Sequence, residues 1–327
     1  MKYFVLPGLF LILLTTCMKE NPDIPDTGRK IAINGLITTD TFLNVFVSRS
    51  SYLLDRSGAS GESMMDFDNL DISFYMDNER IDSLYHYHYY DFDHWLLMNF
   101  GNYRSSNVYP LPGREYKIVA KGSGLPEATA ITTIPDLVRI ERVDTSLIIL
   151  APGSYYQLNL GVKFQLEFSD PPNVPNYYLF RMYMNTYWDL YDNAYVPYRS
   201  ETIEFTCQDP IVEEKLNCIQ GMQAVAFSDI VINGQSHNLD VILKAESIRE
   251  PFMEGPFGSY TTHRKTVYLK LYSITEEYFR YIQTLMLYSK NYSNPLADPV
   301  LMYSNVSGGF GMFSGAAVST DSIVFRF

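Results

Sequence analysis

An alternation of apolar and polar residues with a period of two recurs from end to end of this chain, and it confines the chain to β structure. Leu70, Ile72, Phe74 and Met76 share one face of such a segment, and Asp71, Ser73 and Tyr75 share the other. Val162, Phe164, Leu166 and Phe168 alternate in the same way with Lys163, Gln165, Glu167 and Ser169. The rhythm returns in Tyr178–Met184, Leu239–Ala245, Val267–Leu271 and Ile323–Phe327. A strand of this kind turns one face to a core and one to water, as antiparallel sheets do. Composition agrees: 27 Tyr and 20 Phe stand against only 25 Lys plus Arg, and aromatic side chains suit a pleated surface. With 46% apolar and 19% charged residues, the chain can bury a core and is not intrinsically disordered. The reading is an all-β fold. A net charge of −12 without a basic stripe argues against a nucleic-acid partner.

Turns and one helix punctuate the strands. Asn233-Gly234 between two alternating runs predicts a hairpin, and Pro112-Gly113 predicts a turn feeding a strand at Tyr116–Val119. Ser273-Ile274-Thr275-Glu276 has the spacing of a capping box, followed by Tyr278, Ile282, Leu285 and Met286 at helical intervals and a stop at Asn294-Pro295. A helix is therefore expected near 274–290, covering a sheet or closing one end of a sandwich. The length of 327 residues suggests two domains. A boundary at Ile134-Pro135-Asp136 leaves one β-sandwich over 31–136 and a larger one over 137–327. The strand-rich excursion Tyr187–Arg199 and the loop Glu250–His263 are long connections, where binding functions concentrate.

The amino terminus carries an address. Lys2 precedes the apolar stretch Phe4–Leu14, long enough for a signal-peptide core and too short to span a bilayer. Leu14-Thr15-Thr16-Cys17 resembles the lipobox of bacterial lipoproteins, which implies that residues 1–16 are removed and that Cys17 is lipidated. Residues 17–30, with Pro22 and Pro25, read as an extended tether. Lys19-Glu20 behind the cysteine resembles the export signal of Bacteroidota surface lipoproteins, implying outward display from the outer membrane. With Cys17 assigned to lipid, Cys207 and Cys218 form an even pair in an exported chain and a disulfide candidate. Such a bridge would stabilise the fold by roughly 3 kcal/mol on the chain-entropy account. The alternative, a metal-binding or catalytic thiol pair, has no third ligand near in sequence.

Chemistry-bearing clusters are few. Tyr85-His86-Tyr87-His88-Tyr89-Tyr90-Asp91-Phe92-Asp93-His94 places His86 and His88 on one strand face, where they are weak candidates for a transition metal. The blander reading is an aromatic edge resting on a partner, with Tyr85, Tyr87, Tyr89, Trp95 and, further along, Trp188 as contact residues. Asp66–Asp71 offers alternating acids that suit calcium or an exposed acidic turn. No Gly-x-Ser-x-Gly, His-Glu-x-x-His or Gly-x-Gly-x-x-Gly signature occurs. Gly308-Gly309-Phe310-Gly311, with Gly315, reads as a place where backbone approaches backbone. No catalytic residue and no cofactor is expected. The competing function is a surface hydrolase acting on glycans or peptides through a carboxylate pair about 5–10 Å apart.

Several segments taken together resemble a known family. They are Asn34-Gly35, Pro112-Gly113-Arg114-Glu115-Tyr116, Thr132-Thr133-Ile134-Pro135, Phe168-Ser169-Asp170-Pro171, Asn176-Tyr177-Tyr178, the Ser273–Tyr278 run, Asn294-Pro295, Tyr303-Ser304-Asn305-Val306 and Gly309–Phe313. With the lipobox, they resemble a Bacteroidota family of outer-membrane lipoproteins known only as a domain of unknown function. The resemblance implies an immunoglobulin-like or carboxypeptidase-regulatory-like amino-terminal sandwich, a larger β domain, and association with TonB-dependent receptors. It carries over no catalytic residue. The expectation is a non-catalytic binding or accessory lipoprotein.

Overall fold

The computed structural model describes residues 28–50, 70–87, 101–122, 124–151, 159–190, 194–213, 224–248, 253–255, 258–260, 262–291 and 297–326. Cys17 and its tether up to residue 27, the acids at 66 and 68, His88, Tyr89, His94, Trp95 and Cys218 lie outside the described residues. Within them the fold is all-β. The strands are β1 (Ile31–Thr38), β2 (Asn44–Arg49), β3 (Asp71–Met76), β4 (Glu79–His86), β5 (Tyr103–Arg104), β6 (Glu115–Gly122), β7 (Leu125–Thr133), β8 (Ile140–Ala151) and β9 (Asn159–Ser169). They continue with β10 (Tyr177–Leu190), β11 (Ala194–Thr202), β12 (Thr206–Cys207), β13 (Ala224–Ser228), β14 (Ser236–Lys244), β15 (Met253–Gly255), β16 (Gly258–Tyr260), β17 (Thr262–Ile274) and β18 (Phe310–Arg326). Helix α1 (Ala245–Ile248) is one turn, and α2 (Glu276–Asn291) is the helix expected from the sequence.

One large sheet runs in the order β11-β10-β17-β18-β1-β2-β5-β4-β3-β6-β7, with β13 also on β10. A second sheet, β12-β14-β9-β8, faces its carboxyl-terminal half, and β15 and β16 form a small ribbon. The first core holds Ile33, Val45, Val47, Ile72, Phe74, Tyr116 and Ile118. At this end the large sheet curls until β7 meets the approach to β18, through the bridge Thr129↔Ser307. The second core is a sandwich filling: Phe164, Leu166 and Phe168 of β9 and Leu239, Val241 and Leu243 of β14 meet Tyr178, Phe180, Met182, Val267, Leu269 and Leu271. These are the apolar faces of the alternating runs. At about 25 cal/mol per Å² of apolar area removed from water, they supply the main force holding the layers together.

The two cores do not follow chain order. Ile134 is buried in the first and Val138 in the second, yet Val306, Phe313 and Ala317 from near the end of the chain also lie in the first core. Strand β18 explains this. Its residues Phe310–Ala316 pair in parallel with β1, and its residues Ala316–Arg326 pair antiparallel with β17. A single strand of 17 residues thus belongs to both sandwiches.

Two local expectations come out differently. The Asn233-Gly234 turn does not close a hairpin: β13 pairs with β10 in the large sheet and β14 with β9 in the other. The turn carries the chain from one layer to the next, with Asp170 accepting from the Gly234 N–H at 2.9 Å. The helix cap is shifted as well. Ser273 still lies in β17, and its hydroxyl accepts from the buried Val138 N–H at 3.2 Å. Thr275 is the capping residue, its Oγ1 accepting from the Tyr278 N–H at 3.2 Å. Strand pairing with β18 through Ile274 holds the chain extended for two residues longer than the capping-box reading supposed.

Helix α2 lies on the outer face of the large sheet, burying Tyr278, Phe279 and Ile282 against Leu179, Tyr272, Ile274, Met312 and Ala316. Burial raises the Tyr278 and Tyr272 hydroxyls well above the ordinary tyrosine value and pushes Tyr281 up to about 12. A phenol whose folded pKa is raised stabilises the fold below the unfolded value of about 10 and loses that contribution as pH climbs through the folded value. The melting temperature should therefore fall steeply between about pH 10 and pH 12. The double variant Tyr278→Phe/Tyr281→Phe should flatten that fall, as read by thermal melts across the alkaline range. An unchanged alkaline slope in the variant would rule these phenols out as its cause.

Candidate binding groove

The segments that carry the family resemblance are occupied with holding the scaffold together. The Asp170 carboxylate accepts from the buried Tyr178 hydroxyl, and Asn176 Nδ2 donates to the Pro171 and Val174 carbonyls at 3.2 and 2.8 Å. The Asn305 amide pairs with both backbone groups of Phe313, donating at 2.7 Å and accepting at 2.9 Å. Asn34 Oδ1 accepts from the Met312 N–H at 3.3 Å, and the Tyr116 hydroxyl accepts from the Leu111 N–H at 2.7 Å. Buried Asp209 accepts from Ile211 N and Asp240 N and lies 3.0 Å from His237 Nε2. These acids are spent on turns and strand ends. Among the described residues no cluster of three or more His, Cys, Asp or Glu could hold a metal.

A groove of about 340 Å³ opens instead at the other end of the first sandwich. Strand alternation builds it. In β5, Tyr103 points into the core and is 1% exposed, so Arg104 must point out. In β4 the same rule buries Leu84 and turns Tyr85 outward, 41% exposed. Arg104 stands opposite Tyr85 on one side and Asn44 of β2 on the other. Its Nε donates to the Tyr85 hydroxyl at 2.7 Å. Its guanidinium carbon lies 5.3 Å from the Tyr85 ring centre and 4.6 Å from that of Tyr87, so the cation is set against both rings.

The opposite wall comes from the β1–β2 turn, which contributes Thr41 and Phe42, and from Asn44 at the start of β2. That turn is braced: Thr38 and Thr41 share a hydroxyl hydrogen bond of 2.9 Å, and Asp40 pairs with Lys270 of β17 at 2.7 Å. Phe42 packs against Tyr109 with ring centres 4.1 Å apart and the planes tilted by 39°. Both rings are about half exposed, and Leu111 beside them in sequence is 52% exposed. Ser105 and Ser106 complete the lining. The Ser105 hydroxyl donates to Asp82, whose other oxygen accepts from the Ser83 N–H at 2.7 Å. Among the described residues no carboxylate lines the groove. Those residues form an aromatic trough with Arg104 as their cation, on a chain of net charge −12.

The contact residues expected from the sequence divide accordingly. Tyr85 and Tyr87 line the groove together. His86 points the other way and packs edge-on against buried Tyr103, ring centres 5.2 Å apart. The metal-binding face expected for His86 and His88 rests in part on His88, which lies outside the described residues along with Tyr89 and Trp95. Trp188 is in the hairpin of β10 and β11, its backbone opposite Val196 and Thr262; its side chain is outside the described residues. The Tyr187–Arg199 excursion is strand-rich as expected, with β10 and β11 paired antiparallel across it. Cys207 is buried, 3% exposed, on β12, and Cys218 lies outside the described residues. Phe42, Arg104 and Tyr109 were missed in the sequence reading. The signal for Arg104 was its place next to Tyr103 in a polar-apolar alternation too short to register as a strand.

No helix among the described residues is long and apolar enough to cross a membrane. No curated protein and no solved structure matches the chain. One family does match, over residues 19–322, which takes in every strand described above except the last four residues of β18. The chain belongs to that family, described as a domain of unknown function, DUF4249.

Proposed function

We propose that this chain is a lipid-anchored outer-membrane protein, displayed on the cell surface, that acts without catalysis as a binding or accessory partner of a TonB-dependent receptor. The leader ending at Cys17 and its resemblance to Bacteroidota surface lipoproteins support the anchor and the address. The observation that carries the binding role is the exposed aromatic trough of Phe42, Tyr85, Tyr87 and Tyr109, held on short strands and a braced turn. Tyrosine and phenylalanine supply large contact area at little entropic cost, and they concentrate at interface cores. Half-exposed rings of this number on one end of a sandwich form the kind of patch that a partner covers.

The test is purification of the tagged protein from its native membrane in mild detergent. The wild type is expected to bring a barrel receptor with it. The triple variant Phe42→Ala/Tyr85→Ala/Tyr87→Ala should lose at least about ten-fold of that partner, since hot-spot truncations cost ~1–3 kcal/mol each. Its melting temperature should stay close to wild type, because the three side chains lie outside the core. Unaltered co-purification removes the trough from the interface. Absence of any partner, together with measurable hydrolysis of a glycan or peptide, would overturn the reading in favour of a surface hydrolase.

A further inference from the structure

We infer that the trough is a receptor for a carboxylate, and that its occupant is an Asp or Glu side chain of the partner polypeptide with an apolar neighbour seated on the Phe42–Tyr109 rim. The inference rests on the trough being the docking surface proposed above, and it names the chemistry that surface selects. Among the described residues that line the trough, Arg104 is the cation and none is acidic. Its Nε is committed to the Tyr85 hydroxyl at 2.7 Å, and its guanidinium carbon is held over the rings of Tyr85 and Tyr87. That fixes the guanidinium before any ligand arrives, while among the described residues its terminal amino groups make no side-chain hydrogen bond. A planar, pre-set guanidinium recognises carboxylates through paired N–H donors, and little freedom is left to lose on binding.

The surroundings favour a polypeptide over a free small acid. The trough is open and continues into Tyr109 and Leu111, 50% and 52% exposed, which extends apolar contact beyond what a single small molecule would cover. Tyr, Phe and Arg side by side with neutral hydroxyls around them is the composition of an interface hot spot, which a partner would desolvate. Charge adds discrimination. On a chain of net charge −12, an acidic partner loop meets a field that is repulsive on balance, so a local contact with Arg104 helps fix the register of docking as well as adding affinity. The nearest acid in sequence to the lining on β4, Asp82, is already bonded to Ser105 and the Ser83 N–H and does not neutralise the site.

The experiment titrates the purified protein with two capped tripeptides, acetyl-Leu-Glu-Leu-amide and acetyl-Leu-Gln-Leu-amide, following chemical shifts of the tyrosine rings. A galacturonic acid disaccharide serves as the small-acid arm. The glutamate peptide is expected to bind at least about five-fold more tightly than the glutamine peptide, and the difference should vanish in Arg104→Gln. Arg104→Lys should keep part of it, as a point charge without the planar fork. Equal binding of the two peptides, or an unchanged preference in Arg104→Gln, overturns the inference. Tighter binding of the disaccharide than of the glutamate peptide overturns the choice of a polypeptide. The two readings fail separately. Loss of co-purification in the triple aromatic variant but not in Arg104→Gln would leave the docking surface standing and sink the carboxylate; retained glutamate preference with unaltered co-purification would do the reverse.

Discussion

Phe313→Ala should destabilise the protein by about 3–5 kcal/mol and lower its melting temperature by roughly 10 °C, in one transition rather than two. The ring of Phe313 is fully buried in the first core and meets Phe74 edge-on with centres 6.3 Å apart. Truncation leaves a cavity that its neighbours cannot collapse into. Asn305 grips both backbone groups of Phe313, and the strand is further pinned by parallel pairing with Gly35 of β1. The single transition follows from topology. Three residues further on, at Ala316, the same strand starts its run against β17 and so enters the sheet that roofs the second core. Strain or fraying at Phe313 is therefore carried along a continuous ladder into the other sandwich. Differential scanning calorimetry of the variant distinguishes the cases. Two peaks, one of them unmoved from the wild-type temperature, would show that the sandwiches unfold independently despite sharing a strand.

That shared strand also marks where sequence reasoning ran out. The alternation in Val162–Phe168 and Leu239–Ala245 gives the right buried faces, because in-out pattern along one strand is a local property. The pairing of strand with strand is not local. Nothing near Ile323–Phe327 tells that the segment starting at Phe310 lies alongside Ile31–Thr38, some 280 positions away in sequence. Asn233-Gly234 has the chemistry of a tight turn and makes one, but a turn does not reveal whether its flanking strands pair with each other or leave for different sheets. The hairpin that does form between β3 and β4 turns at Asp77-Asn78, both with positive φ, a pair of residues that tolerate that conformation nearly as well as Asn-Gly.

The groove was half legible for a related reason. Tyr85 and Tyr87 stood out as an aromatic run, and period two places them on one face. Arg104 and Phe42 reach that face from strands and turns that are sequence-distant, so their convergence is a consequence of β2-β5-β4 adjacency. The family-like segments pointed elsewhere, and the hydrogen bonds explain why. Asp170, Asn176 and Asn305 satisfy backbone and hydroxyl groups at turns, work that any member of such a fold requires whatever it binds.

The largest single-residue effect is expected at Gly311. Replacing it with Ala should cost more than about 4 kcal/mol, the range reached only when a substitution meets an immovable obstacle. A Cβ at this position would lie 2.1 Å from the Ile33 carbonyl oxygen and 2.8 Å from Asn34 Oδ1. The first of these is backbone of β1, already fixed by pairing on both of its edges, so it cannot move aside without breaking a ladder. The second holds the Met312 N–H. Backbone conformation adds to the clash, because φ is +109° here, outside the range open to alanine at low cost. Gly124→Ala separates the two effects. Its φ of +68° is also positive, but nothing lies within 4 Å of the added methyl group, so only the conformational cost of about 1–2 kcal/mol remains. Gly311→Ala is expected to give little soluble protein and a melt far below that of Gly124→Ala. Equal melting temperatures for the two variants would mean that β18 can shift away from β1 freely, and with it would fall the account of β18 as the strand that ties the two sandwiches together.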